Sequence, residues 1–186
     1  TALLAPGSNG TILTSDGTDI SWGAAGSGVT FKEVGTNFAN SLLVGNSGTG
    51  TLSSADGNTG VGIGVLGALT SGDNNVAVGY NALDLNTTGG DNTSVGRTSL
   101  DANTTGSYNT AVGKNSLSEN TTASNNTAVG YNSLFTNTTG CKNVAVGYES
   151  LKANTTSCEN VAVGHCSLLV NTEGDFNVAI GTLSLG

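Results

Sequence analysis

One phrase, Asn-Val/Thr-Ala/Ser-Val/Ile-Gly, returns every 17 residues through most of this chain, with its glycine at Gly79, Gly96, Gly113, Gly130, Gly147, Gly164 and Gly181. Gly62 continues the series backwards in Asn-Thr-Gly-Val-Gly, and Gly45 is a candidate start in Ser-Leu-Leu-Val-Gly. The spacing never slips by one residue. A fixed short period makes each unit one coil of a stack rather than a domain of its own. The chain therefore reads as a rod, and a rod favours structural and surface-binding roles over a catalytic pocket.

One unit shows what a coil contains. Asn126-Thr127-Ala128-Val129-Gly130 reads as a short strand closed by glycine, Tyr131-Asn132-Ser133-Leu134 as a second short strand, and Asn137-Thr138-Thr139-Gly140 as a turn. β-Branched residues, Gly and Asn all disfavour helix. The expected fold is all-β: a parallel β-solenoid of 17-residue coils from 58 to 186, with neighbouring coils about 4.8 Å apart. Two apolar ladders are expected to form its core. One is Val78, Val95, Val112, Val129, Val146, Val163 and Ile180; the other is Leu83, Leu100, Leu117, Leu134, Leu151, Leu168 and Leu185.

That core is thin. One Val and one Leu per coil contribute roughly 3–6 kcal/mol at most, and ordering 17 backbones costs at least that much before hydrogen bonds are counted. Val76, Ala77 and Val78 are also consecutive apolar residues, as in a strand covered on both faces. Self-association is the expected remedy, with three chains around a common axis burying the second face.

The first residues are different in kind. Thr11–Thr14 and Asp19–Trp22 flank Ser15-Asp16-Gly17-Thr18, and Asp-Gly between β-prone runs signals a hairpin. Gly23–Gly28 reads as a linker, which makes 1–28 a hairpin-and-linker segment. Residues 29–57, with Val29-Thr30-Phe31 and Leu42-Leu43-Val44, read as strands leading into the stack. The chain begins at Thr1 with no Met, and its last coil stops partway at Leu185-Gly186. These ends suggest a fragment or processed product, and residues 1–28 as a cap for the next subunit in a head-to-tail filament.

The formal net charge of −8 with only five Lys and Arg argues against nucleic acid. No apolar run approaches the roughly 20 residues of a membrane-spanning helix, so no membrane insertion is expected in this segment.

The repeats resemble the head repeats of trimeric autotransporter adhesins, and related repeats of phage and viral tail fibres, through Asn-Val-Ala-Ile-Gly (177–181) and Asn-Val-Ala-Val-Gly (75–79, 143–147, 160–164). The resemblance covers 58–186. It implies a left-handed parallel β-roll, three chains and a surface fibre, extracellular or on a virion. The 17-residue unit is longer than the usual adhesin head repeat by an extra Asn-Thr-Thr-Gly turn.

Three sets of residues are candidates for chemistry. Cys141 and Cys158 are one period apart, so their Cα atoms should fall within the about 4.4–6.8 Å range of a disulfide. A bridge there suits an oxidising, extracellular setting; Cys166 is out of register. Cys141, Cys158, Cys166 and His165 lack the paired spacing of a zinc motif, and no metal or cofactor is expected. Asn58, Asn75, Asn92 and their successors to Asn177 form one Asn ladder, read as inward amides that satisfy the turns.

Asn86, Asn103, Asn120, Asn137 and Asn154 form another ladder, and each begins an Asn-Thr-Thr glycosylation sequon. A glycan row along one edge and an inward turn ladder are competing readings of it. Asn171 keeps the Asn where Glu173 destroys the sequon, which favours the turn. The position after the strand glycine varies as Tyr80, Arg97, Lys114, Tyr131 and Tyr148, an outward candidate contact strip. No acidic residue is read as recurring in register, and no catalytic constellation emerges. The leading expectation is a non-enzymatic structural subunit of a surface fibre. The alternative is an adhesin or phage receptor-binding fibre that recognises host glycan or matrix.

Overall fold

The computed structural model describes residues 54–186 throughout and, before them, the backbone of five short strands. These are β1 (Leu13–Ser15), β2 (Ile20–Trp22), β3 (Val29–Lys32), β4 (Phe38–Ala39) and β5 (Ser41–Val44). β1 and β2 pair antiparallel with Leu13 opposite Trp22, the pairing expected on either side of Asp16-Gly17. The turn itself, the 23–28 linker and the proposed cap contacts lie outside the described residues.

The stack follows. β6 (Ala55–Asp56) pairs with β4, and β7 (Thr59–Val61) begins the regular series. Then come β8 (Val76–Val78), β9 (Thr93–Val95), β10 (Thr110–Val112), β11 (Thr127–Val129), β12 (Val144–Val146), β13 (Val161–Val163) and β14 (Val178–Ile180). From β7 to β14 every neighbour is parallel and one period away, as in Ala111 opposite Ala128. β5 joins the same sheet with Val44 opposite Val61, so the register reaches one coil before residue 58. The chain is a parallel β-solenoid of 17-residue coils, and seven coil-to-coil steps from β7 to β14 span about 34 Å at the usual strand spacing.

Two expectations about the coil are corrected. First, it contains one strand, not two. The Tyr131–Leu134 segment is a pair of turns with Asn132 and Leu134 both at φ 51°. The equivalent leucines from Leu66 to Leu185 all lie at φ 49–55°. A non-glycine residue in this region costs roughly 1–2 kcal/mol, which is offset from Leu66 to Leu168 by turning the side chain into the interior. Coil-to-coil bonding continues through these turns: Leu83 N–H donates to the Ser99 carbonyl at 3.0 Å, and Leu85 N–H to that of Asp101 at 3.0 Å.

Second, the valine ladder is not core. The middle residue of each strand is buried, and the flanking residues turn outward. Ala77, Ala111, Ala128, Ala145 and Ala162 are fully buried, whereas Val112 is 36% exposed. Strand side chains alternate, so an inward Ala places both of its neighbours outside. The Leu ladder is inside as expected from Leu83 to Leu168, but Leu185, in the last coil, is exposed.

The glycine period has a steric cause. The strand-ending glycines have φ 122–141°, and a Cβ on Gly96 would strike the Gly113 carbonyl of the next coil. Only glycine allows both the backbone angle and that approach.

Candidate functional site

The interior combines the Leu and Ala columns with buried Asn and Ser side chains that are hydrogen-bonded. Asn75 Nδ2 donates to Asn58 Oδ1 (3.0 Å) and to the Gly89 carbonyl (2.9 Å), while its backbone N–H also donates to Asn58 Oδ1 (2.9 Å). The second Asn ladder converges on the same carbonyls. Asn103 Nδ2 donates to Asn86 Oδ1 (2.9 Å) and to the Gly106 carbonyl (3.0 Å), which also accepts from Asn92 Nδ2 (2.9 Å). Ser116 and Ser133 close the strand-ending turn by donating to the Gly113 and Gly130 carbonyls at 3.0 and 3.1 Å. Buried polar groups satisfied in this way do not carry the desolvation penalty of orphaned ones.

This geometry favours the turn reading of the second ladder over the glycan reading. Asn86, Asn103, Asn120, Asn137 and Asn154 are fully buried, and each Nδ2 donates within the coil, Asn137 to the Gly140 carbonyl at 2.9 Å. A linkage at Nδ2 would replace a donor hydrogen and require space that the interior lacks. Asn92, in another sequon, is 1% exposed. Among the described sequons, Asn125 alone has an exposed asparagine.

The candidate contact strip is outward. Tyr131 and Tyr148 stack with ring centroids 5.3 Å apart, and Tyr148 stacks on His165 at 5.1 Å. Lys114 Nζ lies 5.4 Å from the Tyr131 ring centre and the Arg97 guanidinium 5.8 Å from that of Tyr80. The one-coil spacing places successive rings at stacking distance. Tyr148 therefore has both ring faces covered and offers solvent its edge and hydroxyl.

Cys141 and Cys158 are neighbours as the period requires. Both are free thiols with Sγ atoms 2.8 Å apart, and Cys141 N–H donates to Cys158 Sγ at 3.0 Å. Elsewhere this position supplies a hydroxyl or carboxylate acceptor to the preceding coil: Ser107 N–H donates to Ser124 Oγ (3.0 Å), and Cys158 N–H to Asp175 Oδ1 (2.7 Å). The hydrogen bond between the two thiols, then burial, raises the pKa of Cys141. Cys166 is buried, with Sγ 3.8 Å from His165 Nε2. Among the described residues no group of three or more His, Cys, Asp or Glu is placed to hold a metal ion.

Acidic residues do recur in register, contrary to the sequence expectation. Asp84 and Asp101 are one coil apart, as are Asp56 and Asp73, and Asp56 N–H donates to Asp73 Oδ1 (2.8 Å). The pair was legible in the spacing but hidden because the position becomes Ser118 and Phe135 in later coils.

The sequence reading expected a second strand face but not which residues form it. Its first column is Thr93, Thr110, Thr127, Val144 and Val161 over successive coils; its second is Val95, Val112, Val129, Val146 and Val163. It is a continuous, partly exposed apolar sheet face flanked by the aromatic and basic strip. In comparisons with known proteins, no family model, curated protein or solved structure matches this chain.

Proposed function

We propose that the chain is a structural subunit of an extracellular or virion surface fibre, a β-solenoid shaft assembled from identical chains. The observation that carries this reading is the outward apolar face of a sheet whose interior is already filled. The interior is closed by its own Asn and Ser hydrogen bonds, while Val and Thr columns face outward along the whole sheet. A contiguous exposed apolar face marks an interaction surface, and one repeated at every coil suits a partner with the same repeat.

The cysteine register supports the location. A thiol is a weaker acceptor than the Ser or Asp found at the same position. An oxidised Cys141–Cys158 bridge in an extracellular setting gives that substitution a structural return.

Sedimentation velocity and electron microscopy test the reading. Elongated multimers that dissociate when Val112 and Val129 are both changed to Asp, with the circular dichroism of the coil retained, support it. A monomer at all accessible concentrations overturns it. The alternative is receptor or glycan binding through the aromatic strip. Stacking covers most of its ring faces, so Tyr131→Ser with Tyr148→Ser leaves any cell binding intact on the shaft reading and abolishes it on the adhesin reading. A glycan on the folded rod is assigned to Asn125, and the intact mass of native material before and after enzymatic deglycosylation checks it.

A further inference from the structure

We propose that Cys141 and Cys158 form a two-coordinate site for a soft monovalent cation, copper(I), held in line between two adjacent coils of the reduced chain. The site lies within one chain, so it stands whether or not copies associate. Oxidation to a disulfide consumes both sulfurs, and the two fates of the pair exclude each other.

The period builds the site. Two residues before each Asn of the first ladder, successive coils carry Ser107, Ser124, Cys141, Cys158 and Asp175. Side chains in this column reach back to the preceding coil: Ser124 Oγ accepts from Ser107 N–H (3.0 Å), and Cys158 Sγ from Cys141 N–H (3.0 Å). Only at Cys141 and Cys158 does the column set two sulfurs against each other, as free thiols 2.8 Å apart. Both residues are half-buried, so their thiols can turn apart about χ1 on the solvent side.

Coil spacing and donor chemistry select the metal. Two metal–thiolate bonds of about 2.3 Å, end to end, span about 4.6 Å, close to the roughly 4.8 Å between equivalent atoms of adjacent coils. A disulfide needs its Cβ atoms nearer, at about 3.8 Å. The metal therefore fits between coils that stay in register. The neighbouring donors in the column are oxygens already engaged by backbone N–H groups, Ser124 Oγ from Ser107 and Asp175 Oδ1 from Cys158 (2.7 Å). Hard oxygens are also poor ligands for a soft cation. Cys166 is buried out of register beside His165, and the Lys142 ammonium is held by Glu159 at 3.0 Å. Structural zinc takes four ligands, whereas two thiolates alone suit copper(I). On binding, both thiols give their protons to solvent and the metal gains two sulfur bonds; no electron is transferred. A ligand that needs two coils in register binds the folded stack and not the unfolded chain, so it stabilises the stack.

Anaerobic titration of the reduced full chain with copper(I), in competition with a chromophoric copper(I) chelator, tests the site. One copper(I) per chain is expected, with two sulfur neighbours by X-ray absorption and a raised melting temperature. Cys141→Ser and Cys158→Ser are each expected to abolish the binding and the thermal shift. Serine occupies the same position at Ser107 and Ser124, so both variants are expected to fold, with circular dichroism as the control. Cys166→Ser is expected to bind copper(I) as the wild type does, and zinc(II) at the same concentration to leave the melting temperature unchanged. A reduced wild type that takes up no copper(I) overturns the site. So does binding that survives either substitution in the pair, that is lost with Cys166, or that zinc(II) matches.

Discussion

The interior of the coil is more polar, and its outer strand face more apolar, than in most proteins. Inside, each coil from Asn75 to Asn154 carries two ladder Asn, small Ala or Ser residues and one Leu; outside, the strand presents Thr and Val. The interior can be polar because period and register place each amide against the amide and carbonyl of the next coil. Hydrogen bonding holds the coils in order, and part of the apolar surface remains for contact with another molecule. Specificity within the chain and adhesion between chains are thus assigned to different faces of the same three-residue strand.

The largest expected break in this division comes at the strand glycine. Gly130→Ala places a Cβ against the Gly147 carbonyl at a φ of 133°. A loss of about 4 kcal/mol is expected in urea unfolding. Gly90 is the control. It is not in the left-handed region, and the nearest atom to a Cβ placed there is the Asp73 carbonyl oxygen at 3.2 Å, so Gly90→Ala is expected to cost under about 1 kcal/mol. Equal losses at the two sites contradict the steric reading of the period.

Next is the amide ladder. Asn126→Leu removes the donor to the Gly140 carbonyl (2.8 Å) and the acceptor of Asn143 N–H (2.9 Å). Leaving these buried groups with fewer partners is expected to cost about 3 kcal/mol. Thr127→Ala, one residue away on the outer face, should change monomer stability by no more than about 0.5 kcal/mol. If the two changes cost the same, the interior is not what holds the coil.

Much of the coil was legible in the sequence, because period is a property of the chain itself. The 17-residue spacing is enough to fix the register of Cys141 with Cys158 and of every Asn with its equivalent. What could not be read was direction. Val76-Ala77-Val78 is apolar throughout, so its alternation gives no signal for which face is inside, and the larger side chains were assigned to the core. The left-handed Leu turns were hidden for a related reason. Leucine at positive φ contradicts local preference, and only the coil's need to bring that side chain inward overrides it. The sequons left two readings open because Asn-Thr-Thr satisfies a turn and a glycosylation motif equally well, and only burial separates them.

The cysteine pair sharpens the comparison at the rim between the two regions. An oxidised Cys141–Cys158 bridge closes a loop of one coil, and a loop of that length is worth about 3 kcal/mol in the chain-entropy picture, less whatever strain the bridge introduces. About 2 kcal/mol is the expected net loss on reduction. Thermal unfolding with and without reductant measures it, and Cys141→Ser should be insensitive to reductant. Identical melting of the wild type in both conditions removes the bridge.

The smallest expected effect lies at Asp84 and Asp101, the stacked carboxylates at the edge of the interior. Burial is the first cause that raises both above the ordinary carboxylate value, and repulsion from Asp101 raises Asp84 further; the Ser118 hydroxyl, donating at 2.8 Å, opposes the shift at Asp101. A raised folded pKa means that the folded chain binds protons more tightly than the unfolded one. Their contribution to stability is therefore fully present below the unfolded value of 3.8 and is lost as pH rises through the raised folded values. The wild type should gain more melting temperature between pH 7 and pH 4 than a variant with Asp84→Asn and Asp101→Asn. Glu149, shifted downward chiefly by its hydrogen bond from Lys152, has the opposite sign but is common to both proteins, so it cancels in the difference. A variant that gains as much as the wild type on acidification shows that these carboxylates are solvated like any surface acid, and the polar interior then ends inside the Leu ladder rather than at this rim.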